Sequence, residues 1–149
     1  MLKDRKIKIN NIVMASDHAG FKLKEDIKNF LLKKRKKVLD LGTNNTNSVD
    51  YPDFAHRLSK KIKKNSKQLG ILVCGSGIGM DMTANKHKNI RAALCYSVKS
   101  ARLSRLHNNA NVIAIGSRLT SRNVALKCVS TFIETKFEGG RHLRRVKKI

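Results

Sequence analysis

A chain of 149 residues suits one domain, long enough to bury roughly two-thirds of its unfolded surface. No apolar run approaches the ~20 residues of a membrane span, and the amino terminus lacks the apolar core and cleavage site of a signal peptide. The net charge of +23 invites a nucleic-acid reading, but zinc-finger spacing, ribonucleoprotein aromatics and Trp are all absent.

Residues 1–10 form a basic extension, and a first strand is expected over 11–15, with Asp17 and His18 at its mouth. A helix over 21–34 follows, where Leu23, Ile27, Phe30 and Leu31 recur at helical spacing and Lys22, Lys24, Lys28 and the basic run from Lys33 to Lys37 fill the opposite face. A strand over 37–41 leads to Gly42 and Thr43. The polar stretch from Thr43 to Asp50 reads as a loop, and Tyr51-Pro52 starts the next helix, expected over 53–66. Its Lys60, Lys61, Lys63 and Lys64 again alternate with Leu58 and Ile62. Such lysines belong to solvated faces, so the charge argues against a dedicated nucleic-acid site and leaves room only for a weak polyanion affinity.

A strand over 69–74 ends on Cys74, and a glycine-rich loop opens a helix over 78–86. A strand over 91–95, a helix over 98–107, a strand over 111–115 and a helix over 121–132 complete the pattern. The turn between the helix over 98–107 and the strand over 111–115 carries His107 and Asn108, and Gly116 to Arg118 follow the last strand. Gly139-Gly140 breaks the chain, so the basic arm over 137–149, with Arg141, His142, Arg144 and Arg145, can project from its own domain. Strict β-α alternation predicts a Rossmann-like three-layer α/β/α sandwich around a parallel sheet of five strands. Sites in such sheets lie at the carboxyl ends of the strands.

Gly75-Ser-Gly-Ile-Gly79 stands at one of those ends. It is not a dinucleotide fingerprint, because the place of the last glycine is held by Met80 and the loop follows the third strand, not the first. Three glycines around a serine fit close backbone approach to an anion. Cys74 beside them is a candidate general base, since helix N-termini favour a thiolate over a thiol. Cys95 and Cys128 read as small buried hydrophobes. Three cysteines without C-x-x-C spacing suggest neither a disulfide framework nor a zinc site, so a reduced, cytoplasmic protein is expected. Arg118, Arg141 and Arg145 are candidates for a phosphate clamp. His56 and His87 carry no assignment.

The stretches Ala15-Ser-Asp-His-Ala-Gly-Phe-Lys-Leu-Lys24, Asp50-Tyr-Pro-Asp-Phe-Ala55 and Gly70-Ile-Leu-Val-Cys-Gly-Ser-Gly-Ile-Gly79 resemble the ribose-5-phosphate isomerase B family, which includes galactose-6-phosphate isomerase subunits. So do Ala101-Arg-Leu-Ser-Arg-Leu-His-Asn-Asn-Ala-Asn-Val112, Ile115-Gly-Ser-Arg118 and Phe137-Glu-Gly-Gly-Arg-His142, and the register holds over residues 11–146. The resemblance implies interconversion of ribose 5-phosphate and ribulose 5-phosphate without a metal or organic cofactor. By the same resemblance His107 helps open the furanose ring, Asp17 and Asn108 bind sugar hydroxyls, and Tyr51 lies against the sugar. Cys74 moves the proton between C1 and C2, Ser76 donates a hydrogen bond, and the N–H groups of Gly75, Gly77, Ile78 and Gly79 hold the enediolate. His18, Arg118, Arg141 and Arg145 match the phosphate contacts.

Part of this set comes from the neighbouring subunit, which implies a homodimer with shared sites; pairing into a tetramer stays open. One branch of the family replaces the cysteine by a glutamate at the place where Met80 stands, and Met80 takes no proton. Asp81 is adjacent but is expected on another helix face. Isomerisation of a six-carbon sugar phosphate such as allose or galactose 6-phosphate remains an alternative, as does a polyanion-binding protein on this scaffold.

Overall fold

A computed structural model describes residues 12–149, so the basic extension over 1–10 lies outside the described residues. The apolar runs become five parallel strands, β1 (Ile12–Ser16), β2 (Val38–Asp40), β3 (Leu69–Cys74), β4 (Ala92–Leu94) and β5 (Val112–Gly116). Their order across the sheet is β2-β1-β3-β5-β4. The helices between them are α1 (Phe21–Lys33), α2 (Tyr51–Lys61), α3 (Ile78–Ala84), α4 (Val98–Asn108) and α5 (Arg122–Glu134). This is the expected α/β/α sandwich.

Pleating sends alternate side chains to opposite faces of the sheet. Ile12, Met14, Ile71, Val73, Ile113 and Ile115 pack with α1, α4 and α5 in one core. Val13, Ala15, Leu72, Cys74 and Ala114 pack with α2 and α3 in the other. Both faces are therefore apolar, as a central parallel sheet requires. The same alternation delivers Cys74, the last residue of β3, to the side covered by α3. Among the described residues no helix is long and apolar enough to cross a membrane.

Several boundaries differ from the sequence reading. The second helix ends at Lys61, not 66, because Ile62 turns extended and buries its side chain, while Gln68 Oε1 accepts the Lys63 N–H at 3.0 Å. The third ends at Ala84, where Asn85 exchanges two hydrogen bonds with the backbone of Ala92 and ties the helix to β4. Lys24, assigned above to a solvated face, is fully buried, its ammonium 2.6 Å from Asp40 Oδ2. The carboxyl-terminal arm has structure of its own. Beyond the glycine break it forms a helix, α6 (Arg141–Val146), that folds back on α4 and buries His142.

Candidate active site

A cleft of about 570 Å³ opens at the carboxyl ends of β1, β3 and β5. Cys74 lies in its floor, 4% exposed, and its Sγ accepts the Gly77 N–H at 3.1 Å. A sulfur accepts such a bond more strongly as thiolate than as thiol. Gly77 can aim its N–H there because it adopts φ +80°, and a Cβ at that position would stand 2.7 Å from Leu94 and 2.9 Å from the Ile115 carbonyl carbon. Gly77 thus serves the sulfur and is not among the residues lining the cleft, whereas Gly75, Ser76, Ile78 and Gly79 are. Ser76 Oγ accepts the Ile78 N–H at 3.2 Å, which leaves its own proton free to donate. Tyr96, unassigned by sequence, donates its hydroxyl to the Ser76 carbonyl and steadies the loop from β4's side.

Four expected residues line the same cleft from other elements. Asp17 caps the turn after β1, its Oδ1 accepting the Gly20 N–H at 2.9 Å. His18 Nδ1 accepts the Val49 N–H at 3.1 Å. A nitrogen that accepts carries no proton, so the neutral ring bears its proton on Nε2. Arg118 is fixed at its backbone by a bond to the Gly75 carbonyl, and its guanidinium lies over Gly75, 3.0 Å from where a Cβ would stand. Tyr51, first residue of α2, lays its ring against Gly79 so closely that a Cβ there would meet two ring carbons at 2.5 Å. Ala19, Met82 and Leu119 complete the rim. Met82 follows Ile78 by one helical turn, a spacing that was available in the sequence.

The remaining expected residues are gathered elsewhere. His107 and Asn108 end α4, and Arg141 and Arg145 stand exposed on α6; none of the four lines the cleft. The His107 ring stacks on His142 at 4.3 Å and 14°, with Glu138 at their edge. These three side chains bring donor atoms within 4.8 Å of one another. Near-parallel rings send their lone pairs side by side, however, and do not converge on one point ~2.0 Å from each nitrogen as a metal ion requires.

Asp81 points away from the cleft lining, as its helix position suggested. Its Oδ1 is buried without a hydrogen-bond partner, and burial pushes the carboxyl up to about 6. Cys95 and Cys128 are free and buried, and burial raises both thiols, Cys95 to about 11, which suits packing and not catalysis. His56 and His87, which sequence left unassigned, meet with Nδ1 and Nε2 2.7 Å apart.

A family model described as Ribose/Galactose Isomerase matches residues 12–149. A protein of Mycoplasma genitalium named probable ribose-5-phosphate isomerase B is 50% identical over 141 residues, covering 93% of this chain and 93% of its own length. A crystal structure of a Thermotoga maritima ribose 5-phosphate isomerase superposes with a TM-score of 0.89 at 49% identity, over 93% of this chain and 95% of that one. The Mycoplasma genitalium ribose-5-phosphate isomerase B, solved with bound ribulose 5-phosphate, gives 0.89 at 48% identity, over 93% and 92%.

Proposed function

The chain belongs to the ribose/galactose isomerase family, and from that membership we propose that it interconverts D-ribose 5-phosphate and D-ribulose 5-phosphate through an enediolate. The observation that carries the reading is the Cys74 sulfur, seated under a glycine loop in a cleft that also holds a carboxylate, an imidazole and a guanidinium. Arg118 and the Nε2–H of His18 take the phosphate, Asp17 takes a sugar hydroxyl, and the Tyr51 ring covers the sugar. With the open aldehyde in place, the Cys74 thiolate removes the proton from C2. The electron pair moves through C1–C2 onto the carbonyl oxygen, which the N–H groups of Gly75, Ile78 and Gly79 and the Ser76 hydroxyl stabilise. Returning the proton from the thiol to C1, while the proton of the C2 hydroxyl passes to the C1 oxygen, leaves the ketose and regenerates the thiolate.

Ring opening is assigned to His107 and further hydroxyl and phosphate contacts to Asn108, Arg141 and Arg145. These residues serve the cleft of a second copy in a homodimer, a reading taken from the family resemblance and supported by their lying outside their own chain's cleft. The free, buried thiols suit a reducing cytoplasm. The deciding assay is ribulose 5-phosphate formation from ribose 5-phosphate, with a chelator present, beside Cys74→Ala. Activity that survives chelation and falls about 10²–10⁴-fold in the variant supports a thiol base working without a metal. Wild-type activity confined to allose or galactose 6-phosphate would move the substrate to six carbons, and equal rates in wild type and variant would remove Cys74 from the mechanism.

A further inference from the structure

α6 buries one residue, and that residue is a histidine: His142 is 5% exposed while its neighbour Leu143 is 43% exposed. A short helix that needed only an anchor would bury the leucine, because a polar ring loses water contacts on burial. What His142 gains instead is the face of His107, stacked at 4.3 Å. Its Nε2 is buried and has no hydrogen-bond partner; it faces Glu138 Oε2 at 3.6 Å, and the same oxygen lies 3.9 Å from His107 Nε2.

The segment that carries these groups is tied to three successive residues of α4. Arg105 Nε donates to the Thr135 carbonyl at 3.1 Å, the Leu106 carbonyl accepts the Glu138 N–H at 3.1 Å, and His107 takes the stack. Four groups face His142: His107 from α4, Glu138 from the connecting segment, and Arg141 and Arg145 from α6. Burial first, then the His107 charge, lower its pKa, with the two arginines adding and Glu138 opposing. His107 itself stands at the carboxyl end of α4, with the same Glu138 oxygen beside its Nε2.

We infer that Glu138 and His142 are positioning residues for His107: the shared carboxylate oxygen and the stacked ring hold its imidazole in place and ready to carry the proton of furanose opening. The inference rests on the ring-opening role given to His107 above. In that step His107 gives its proton to the ring oxygen as the C1–O bond breaks and its electron pair goes to that oxygen. It then recovers a proton from the C1 hydroxyl, whose oxygen becomes the carbonyl, so protonation is balanced.

The test separates ring opening from enediolate chemistry, because ribulose 5-phosphate is an open chain. Two rates are measured for wild type, Glu138→Gln, His142→Ala, His142→Phe and His107→Asn: aldose turnover across the neutral pH range, and exchange of the C1 hydrogen of ribulose 5-phosphate with D2O by NMR. Glu138→Gln and His142→Ala should lose about 10-fold in aldose turnover while exchange stays within about 2-fold. His142→Phe should recover most of the His142→Ala loss, since it restores the stacked face. Glu138 is 57% exposed, so its glutamine variant tests the idea without disturbing the fold. Wild-type turnover in Glu138→Gln and His142→Ala beside a defective His107→Asn would overturn the positioning role alone. Wild-type turnover in His107→Asn, or exchange lost as heavily as turnover, would overturn the ring-opening role and the inference with it.

Discussion

Tyr51 and Gly79 touch so closely that one methyl group separates a fitting site from a blocked one. A Cβ on residue 79 would stand 2.5 Å from two carbons of the Tyr51 ring, which must then swing away from the place the proposed mechanism gives it over the sugar. Gly79→Ala should raise KM by about 10-fold, roughly 1.4 kcal/mol of binding, with a smaller fall in kcat. Adding Tyr51→Leu to Gly79→Ala should recover part of that loss by restoring room. Steady-state kinetics on the single and double variants check both statements, and a Gly79→Ala enzyme with unchanged KM would take the Tyr51 ring away from the substrate. Gly77 is constrained differently: its left-handed backbone aims one N–H at one sulfur.

Among the elements, α3 holds a destabilising group as well as the glycine loop. Burial disfavours the charge of the Asp81 carboxyl and pushes it up to about 6 from the ordinary 3.8, and its Oδ1 has no hydrogen-bond partner. A raised carboxyl contributes its stability below the unfolded value and loses it as pH rises through the folded one. Asp81→Asn should therefore stabilise the protein by on the order of 2 kcal/mol at neutral pH and by almost nothing at about pH 4. Urea unfolding at the two pH values measures the difference, and an equal gain at both would show that packing, not charge, is responsible. Element by element, the sandwich was legible because each strand is a short apolar run and each helix between strands has apolar residues at helical spacing. α6 was not, since six residues with three arginines carry no apolar period and their anchor is a polar ring. The Cys74 loop could be read because its parts are consecutive. The pairing of His107 with Glu138 and His142 could not, because it joins residues more than 30 positions apart through tertiary packing. The burial of Lys24 escaped for the same reason, its partner Asp40 lying on another element.

At the scale of the molecule, two groups of candidate residues occupy separate places on one chain, the Cys74 cleft and the His107–His142 stack to which ring opening is assigned by proposal. Mixing Cys74→Ala with Arg141→Ala subunits tests whether they meet across a dimer. Statistical pairing gives half heterodimers, each with one intact composite site, so activity should return to about a quarter of wild type at low substrate. Absence of recovery after confirmed subunit exchange would place every contact within one chain. The net charge of +23 also favours capture of an anionic sugar phosphate, an effect that added salt weakens. The division has a consequence for the life of the polypeptide. On the proposed shared site, a newly made chain carries its base and its ring-opening group too far apart to act together, so it is dormant until it meets a sister. Where subunits are dilute enough to separate, output falls faster than the number of chains, and the cell's dose of this enzyme is read as pairs.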